Sequence, residues 1–422
     1  MIELTWIALI LAGIRRPFQT LILFLLVFEE TIGPGGFRNE SIISIYQFTN
    51  EVYKFQVFDI RFIFIFMGII FTTQIPTILK NIKIDAVTVV LVILFLLTTI
   101  ISISQIGLQL QAFGITLWWL VLLAAYMTGK SELPQKVFTK NFLVILAVIF
   151  FLKSIIGLFA LINGNYLYDS RISNLTIVYY DPVFSLISLS FAIFALAKST
   201  STRYAVVILV LVSFIQLISF RRSAVGLFLF GLVWILLSNF ANNLRKGRVV
   251  TLAVVFSIAL LVTSQGTVFL SRIASSWNSI MGVENEFSTK SRISESTTSI
   301  EIIRNNFWNG LGVRTTPQPG FVVTQGPDFY VHNEIFLVWI RFGFVTTFLY
   351  SALFVLNYRV LKIATRTKEA DQMLLISVFL ALTLPLLGIF FGMTNFSYRW
   401  GILWFLVLGY LSQQKSNKKI LK

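Results

Sequence analysis

Apolar runs of about 20 residues recur along most of the chain, broken by short charged or turn-forming clusters, and about 20 residues is what a helix needs to cross a bilayer core of about 30 Å. The runs fall near 17–32, 57–74, 84–103, 107–128, 139–162, 178–197, 203–220, 222–240, 248–265, 334–357, 372–392 and 398–412. Residues 4–14 are too short to span alone and read as a half-helix paired with the next segment or as an interfacial piece. The short alternation of apolar and polar residues that marks a membrane β-barrel is absent. The pattern predicts an all-α polytopic membrane protein of about twelve transmembrane helices. Residues 1–265 hold about nine of these spans, 266–333 form one large external loop, and 334–422 hold three spans and a basic tail.

Composition agrees: 12% of residues are charged, where a soluble domain carries about a quarter. The opening MIELTWIALILAGIRRP lacks a basic start and a small-residue cleavage site, so the first apolar segment is expected to stay in the mature protein. The formal charge of +16 first suggests nucleic acid, but its placement argues otherwise. With the tail in the cytoplasm, 20 of the 34 Lys and Arg residues fall in short cytoplasmic breaks, among them Arg15, Lys80, Lys130, Arg245, Arg359 and Lys368. That is the positive-inside bias of an inner-membrane protein, not a nucleic-acid face.

The chain has no cysteine and one histidine, His332, which excludes thiol chemistry, disulfides and a multi-histidine metal site. The remaining basic residues run against the inside bias. Arg221 and Arg222 share a tight external break, Arg292, Arg304 and Arg314 lie in the long loop, Arg171 precedes a span, and Arg341 falls within one. Singly, each reads as a snorkelling or solvated arginine. Together they suit an anionic ligand such as a diphosphate, which guanidinium groups grip bidentately. His332 has two readings: a cap for the helix starting near Asn333, or a general base with near-neutral pKa.

Here the residues resemble a family. His332, Asn333, the nine residues EIFLVWIRF, Gly343 and then Thr346 fit the ligase-type histidine pattern of the bacterial O-antigen polymerase and O-antigen ligase superfamily. Upstream, Arg292 precedes Gly310–Leu311–Gly312 at the family's spacing, with Phe307 where proline is usual. FRRSAVGL resembles the small-loop arginine motif, with Arg222 its best-aligned residue, and RISNLTIVYYDP the arginine ahead of an Asp-Pro span start. Arg341 stands where an acidic or neutral residue is frequent.

The resemblance implies an integral membrane glycosyltransferase with its site facing the periplasm and no metal or other cofactor. His332, Arg222 and Arg292 would be catalytic. Arg221, Arg171, Arg304, Arg314, Asn333, Arg341, Tyr330 and Trp308 would bind substrate, with Trp277 a further stacking ring. The donor would be an undecaprenyl-diphosphate-linked glycan, and the expected reaction is inverting polymerisation of repeat units into O-antigen or exopolysaccharide. The alternative is ligation of the finished glycan to lipid A core. A chain-length regulator protein is a further partner this implies. A lipid-linked glycan transporter is the reading from another class; it calls for charges at mid-depth in several spans, and only Arg61, Lys153 and Arg341 come near.

Overall fold

The computed structural model of the protein describes residues 84–107, 110–131, 287–311, 333–366, 372–391 and 398–420, with isolated positions between 230 and 281. Six long helices are formed there and, among the described residues, no strand: α1 (Ala86–Ile106), α2 (Leu110–Lys130), α3 (Phe287–Asn305), α4 (Glu334–Ala364), α5 (Gln372–Phe391) and α6 (Tyr398–Ile420). Five of them, all but α3, stand where the third, fourth, tenth, eleventh and twelfth apolar runs are. By length and composition α1 and α4 are long and apolar enough to cross a membrane.

Helix α1 is dense in Val, Ile and Thr, which are mediocre helix formers in water. In an apolar solvent the backbone must satisfy itself, and a helix does so whatever the side chains prefer. Its termini are set locally. The Asp85 carboxylate accepts from Thr88 N–H and Thr88 Oγ1, both at 3.0 Å, and Gly107 closes the helix with φ +70°. Val89, Val92, Ile93, Leu96 and Ile100 form an exposed apolar stripe along it. Soluble proteins rarely present such a face, whereas lipid tails are as apolar as it is.

Two devices join the bundle. Helices α2 and α6 touch backbone to backbone at Gly129 and Gly409: a Cβ at Gly129 would lie 2.1 Å from Leu406 O, and one at Gly409 would lie 2.2 Å from Tyr126 O. Small residues permit the close approach that gives membrane helices their packing energy. Helices α4, α5 and α6 share Asn357, buried, whose Nδ2 donates to Ala381 O (2.8 Å) while its Oδ1 accepts from Trp404 Nε1 (3.0 Å). Rings continue the contact inward, Trp119 against Tyr350 at 5.9 Å and Phe354 against Trp404 at 5.2 Å.

One end of the bundle is tied electrostatically. Asp85 Oδ2 accepts from Tyr126 Oη (2.5 Å) and from Lys130 Nζ (2.9 Å), and Tyr126 Oη also lies 3.1 Å from Ser412 Oγ. The start of α1 therefore meets the ends of α2 and the apolar part of α6, so α1 runs opposite to both. At the other end of α1, Gln105 Nε2 reaches Asn309 O at 3.5 Å. The turn that holds Asn309 thus sits about 30 Å from the Asp85 cluster, the length of a 21-residue helix.

Part of the segment expected to form the large external connection, 266–333, is helical. Its residues 287–305 form α3, which packs on α4 through Ile302 and Ile303 against Leu337 and Ile340, with Phe336 and Trp339 at the rim. The buried positions of α3, Glu295, Ser299, Ile302 and Ile303, recur at helical spacing on one face.

Candidate functional site

Asn333 begins the site. Its backbone is extended (φ −103°, ψ 114°), and its side-chain oxygen accepts from Ile335 N–H (3.0 Å) and Phe336 N–H (3.2 Å). This is a complete N-cap of α4. The capping role considered for His332 thus belongs to its neighbour. Glu334 follows in the first turn, fully buried, where the helix dipole favours a carboxylate.

The helix that starts there does not run straight. At Gly343 the backbone turns to φ +77° and ψ −175°, a region open in practice only to glycine. The kink interrupts the ladder, and the turn after α3 takes its place. Phe344 N–H, which in a regular helix would bond Ile340 O, donates to Phe307 O at 2.9 Å, and Ile340 O accepts from Leu311 N–H at 2.6 Å. The two groups of the lost Phe344–Ile340 pair are therefore both paired by the turn. Thr346 and Thr347 add their hydroxyls to Phe342 O (3.2 Å) and Gly343 O (2.9 Å).

The fit is reciprocal. A Cβ at Gly343 would lie 1.9 Å from Trp308 O and 2.5 Å from Trp308 C, while one at Gly310, where φ is +66°, would lie 2.7 Å from the Arg341 carbonyl and from Phe342 N. The two glycine-bearing motifs, more than thirty residues apart in sequence, thus form one joint. Phe307 fills the proline position of the motif with a ring stacked on Phe344 (5.1 Å) and set against Trp339 (5.2 Å) and Trp308 (5.1 Å). Its carbonyl also accepts from Trp339 Nε1 at 3.1 Å. The Phe307 ring packs the turn onto α4.

Of the residues singled out from sequence, two lie at the joint and two on the helices that run into it. Trp308 lies in the turn, 66% exposed; Arg304 is exposed on the last turn of α3; Arg341 is half-buried immediately before the kink; Asn333 caps the helix. Arg292 lies in the second turn of α3, about 18 Å along the helix from Arg304 at 1.5 Å per residue, so the two do not share one position. Trp277 is exposed in an isolated helical stretch. His332, Arg221, Arg222, Arg171, Arg314 and Tyr330 lie outside the described residues. Phe307, Gly310 and Trp339 carry the joint without having been weighed as site residues. The signal was in the sequence, as a glycine-rich turn and a glycine inside an apolar run.

Comparison with known proteins supplies the class. Residues 205–351, about a third of the chain, match the family described as O-antigen ligase. The match supports the O-antigen polymerase and ligase superfamily drawn above from the motifs. Proteins of this family are membrane proteins with glycosyltransferase-like chemistry, and the apolar helices α1 and α4 agree with a membrane setting. The matched segment contains every singled-out site residue except Arg171, and it ends in α4 just past the kink. No curated protein matches the chain.

Proposed function

We propose that the protein is an inverting, metal-independent glycosyltransferase that polymerises undecaprenyl-diphosphate-linked repeat units on the external face of the bacterial inner membrane. The observation that carries this reading is the joint of the two family motifs within the matched segment, Gly310 seated on Arg341 and Gly343 on Trp308. An external site is supported by the position of that joint, at the far end of α1 from Lys130, one of the cytoplasmic cluster of basic residues.

In this mechanism His332 takes the proton from the acceptor hydroxyl as its oxygen forms a bond to the anomeric carbon of the donor. The bond from that carbon to the diphosphate breaks, and the electron pair leaves with the lipid diphosphate. Arg222, Arg221 and Arg292 stabilise the departing charge. Attack opposite the leaving group inverts the anomeric centre. Arg171, Arg304, Arg314 and Arg341 extend the cationic field, and Trp308 and Tyr330 offer faces for sugar stacking. Asn333 caps the helix that begins two residues after the histidine in sequence and lines the acceptor side.

Ligation to lipid A core is the second reading, favoured by the description of the matched family. A deletion strain separates them. Single unpolymerised repeats on the carrier lipid support the polymerase, and long glycans stranded on it support the ligase. Because Asn333 fills the cap, His332→Asn is expected to melt like the parent while its turnover falls about 10²–10⁴-fold. Transfer at the parental rate by purified His332→Asn would remove the proposed mechanism.

A further inference from the structure

The first arm of α4, residues 334–342, is a lever with Gly343 at one end and the cap at the other. At about 1.5 Å per residue it is about 14 Å long, so a rotation of about 5° about Gly343 moves the cap by about 1 Å. Misplacing a catalytic group by about 1 Å can cost about 10²-fold in rate. Whatever fixes the angle at Gly343 therefore matters to the residue just ahead of Asn333.

One carbonyl holds both arms. Phe307 O accepts from Phe344 N–H, one residue beyond the kink, and from Trp339 Nε1, four residues before it. The backbone bond anchors the long arm and the indole bond anchors the short one. We propose that Trp339 is a positioning residue: by sharing the Phe307 carbonyl with Phe344, its indole N–H sets the angle of the first arm of α4 and so positions its capped start at Asn333, the residue that follows the proposed base in sequence. This rests on the proposed function, in which His332 is the base. The ring contacts of Trp339 with Phe307 (5.2 Å) and Phe344 (5.6 Å) are separable from its hydrogen bond, because a phenyl ring retains packing and loses only the donor.

The test uses the purified full chain and lipid-linked glycan extracted from a deletion strain. Trp339→Phe is expected to lower kcat about 10–100-fold, with KM for the lipid-linked donor within about 3-fold of the parent. Benzothienylalanine at position 339, which keeps the bicyclic shape and lacks the N–H, is expected to give the same split and covers the case in which the phenyl variant folds poorly. Added to His332→Ala, Trp339→Phe is expected to cost nothing further, since both act through one group. Parental kcat in both position-339 variants, or an equal fold-loss with and without His332, overturns the positioning role alone when His332→Ala keeps only a strongly reduced, measurable residual rate. A parental rate in His332→Ala overturns the base reading and this proposal with it.

Discussion

Two places in the molecule bring backbones into contact through paired glycines, and they do so for different ends. At the crossing of α2 and α6, Gly129 and Gly409 keep ordinary helical dihedrals, and the absence of a side chain serves only closeness. At the joint of the 306–311 turn with α4, Gly310 and Gly343 both have positive φ, and the close approach lets two chain segments exchange hydrogen bonds. The crossing is a packing device, in which glycine supplies space alone. The joint is a conformational device, and there glycine supplies both the space and the dihedral. One holds a bundle together; the other sets an angle in a helix that begins beside the sole histidine.

The comparison breaks most visibly at Gly343. Gly343→Ala would force a Cβ within 1.9 Å of a backbone oxygen and a side chain into a glycine-only dihedral. The two costs together amount to about 4 kcal/mol, and the variant is expected to be lost from the membrane fraction or to melt far below the parent. Melting within a few degrees of the parent would mean the joint is not built as described.

Gly129→Ala meets a backbone oxygen at 2.1 Å with no dihedral cost. The helices must shift apart, at about 2 kcal/mol, and activity per folded molecule is expected to hold because this contact is remote from the joint. A fall in kcat at full folding would show the crossing and the joint to be coupled.

Gly107 sharpens the distinction from the other side. Its dihedrals (φ +70°, ψ −169°) resemble those of Gly343, yet nothing lies within 4 Å of its would-be Cβ. Gly107→Ala therefore isolates the dihedral cost, about 1 kcal/mol. A thermal shift as large as that of Gly343→Ala would assign the whole effect at Gly343 to backbone conformation and none to contact.

Much of this was legible in the chain. Apolar runs of bilayer length marked α1, α2, α4, α5 and α6 because burial in hydrocarbon selects on composition, which is local. The family motif also singled out Gly343, Thr346 and the 310–312 turn. Helix α3 was not legible as a helix, for its inward face mixes Glu295 and Ser299 with Ile302 and Ile303, too polar for a hydropathy reading. Its signal was periodic spacing, which a search for long apolar runs passes over.

What the sequence determined by itself is the class: a membrane chain rich in apolar helical runs of bilayer length, with most of its basic residues in the breaks between them. These follow from transfer energies that each segment carries alone. Only the tertiary structure decided that Asn333 is the cap, that Gly343 breaks α4, and that the carbonyl of Phe307 holds both arms of the break. The reason is physical. A kink leaves backbone groups without partners, and whether that is tolerable depends on which distant segment arrives to pair them.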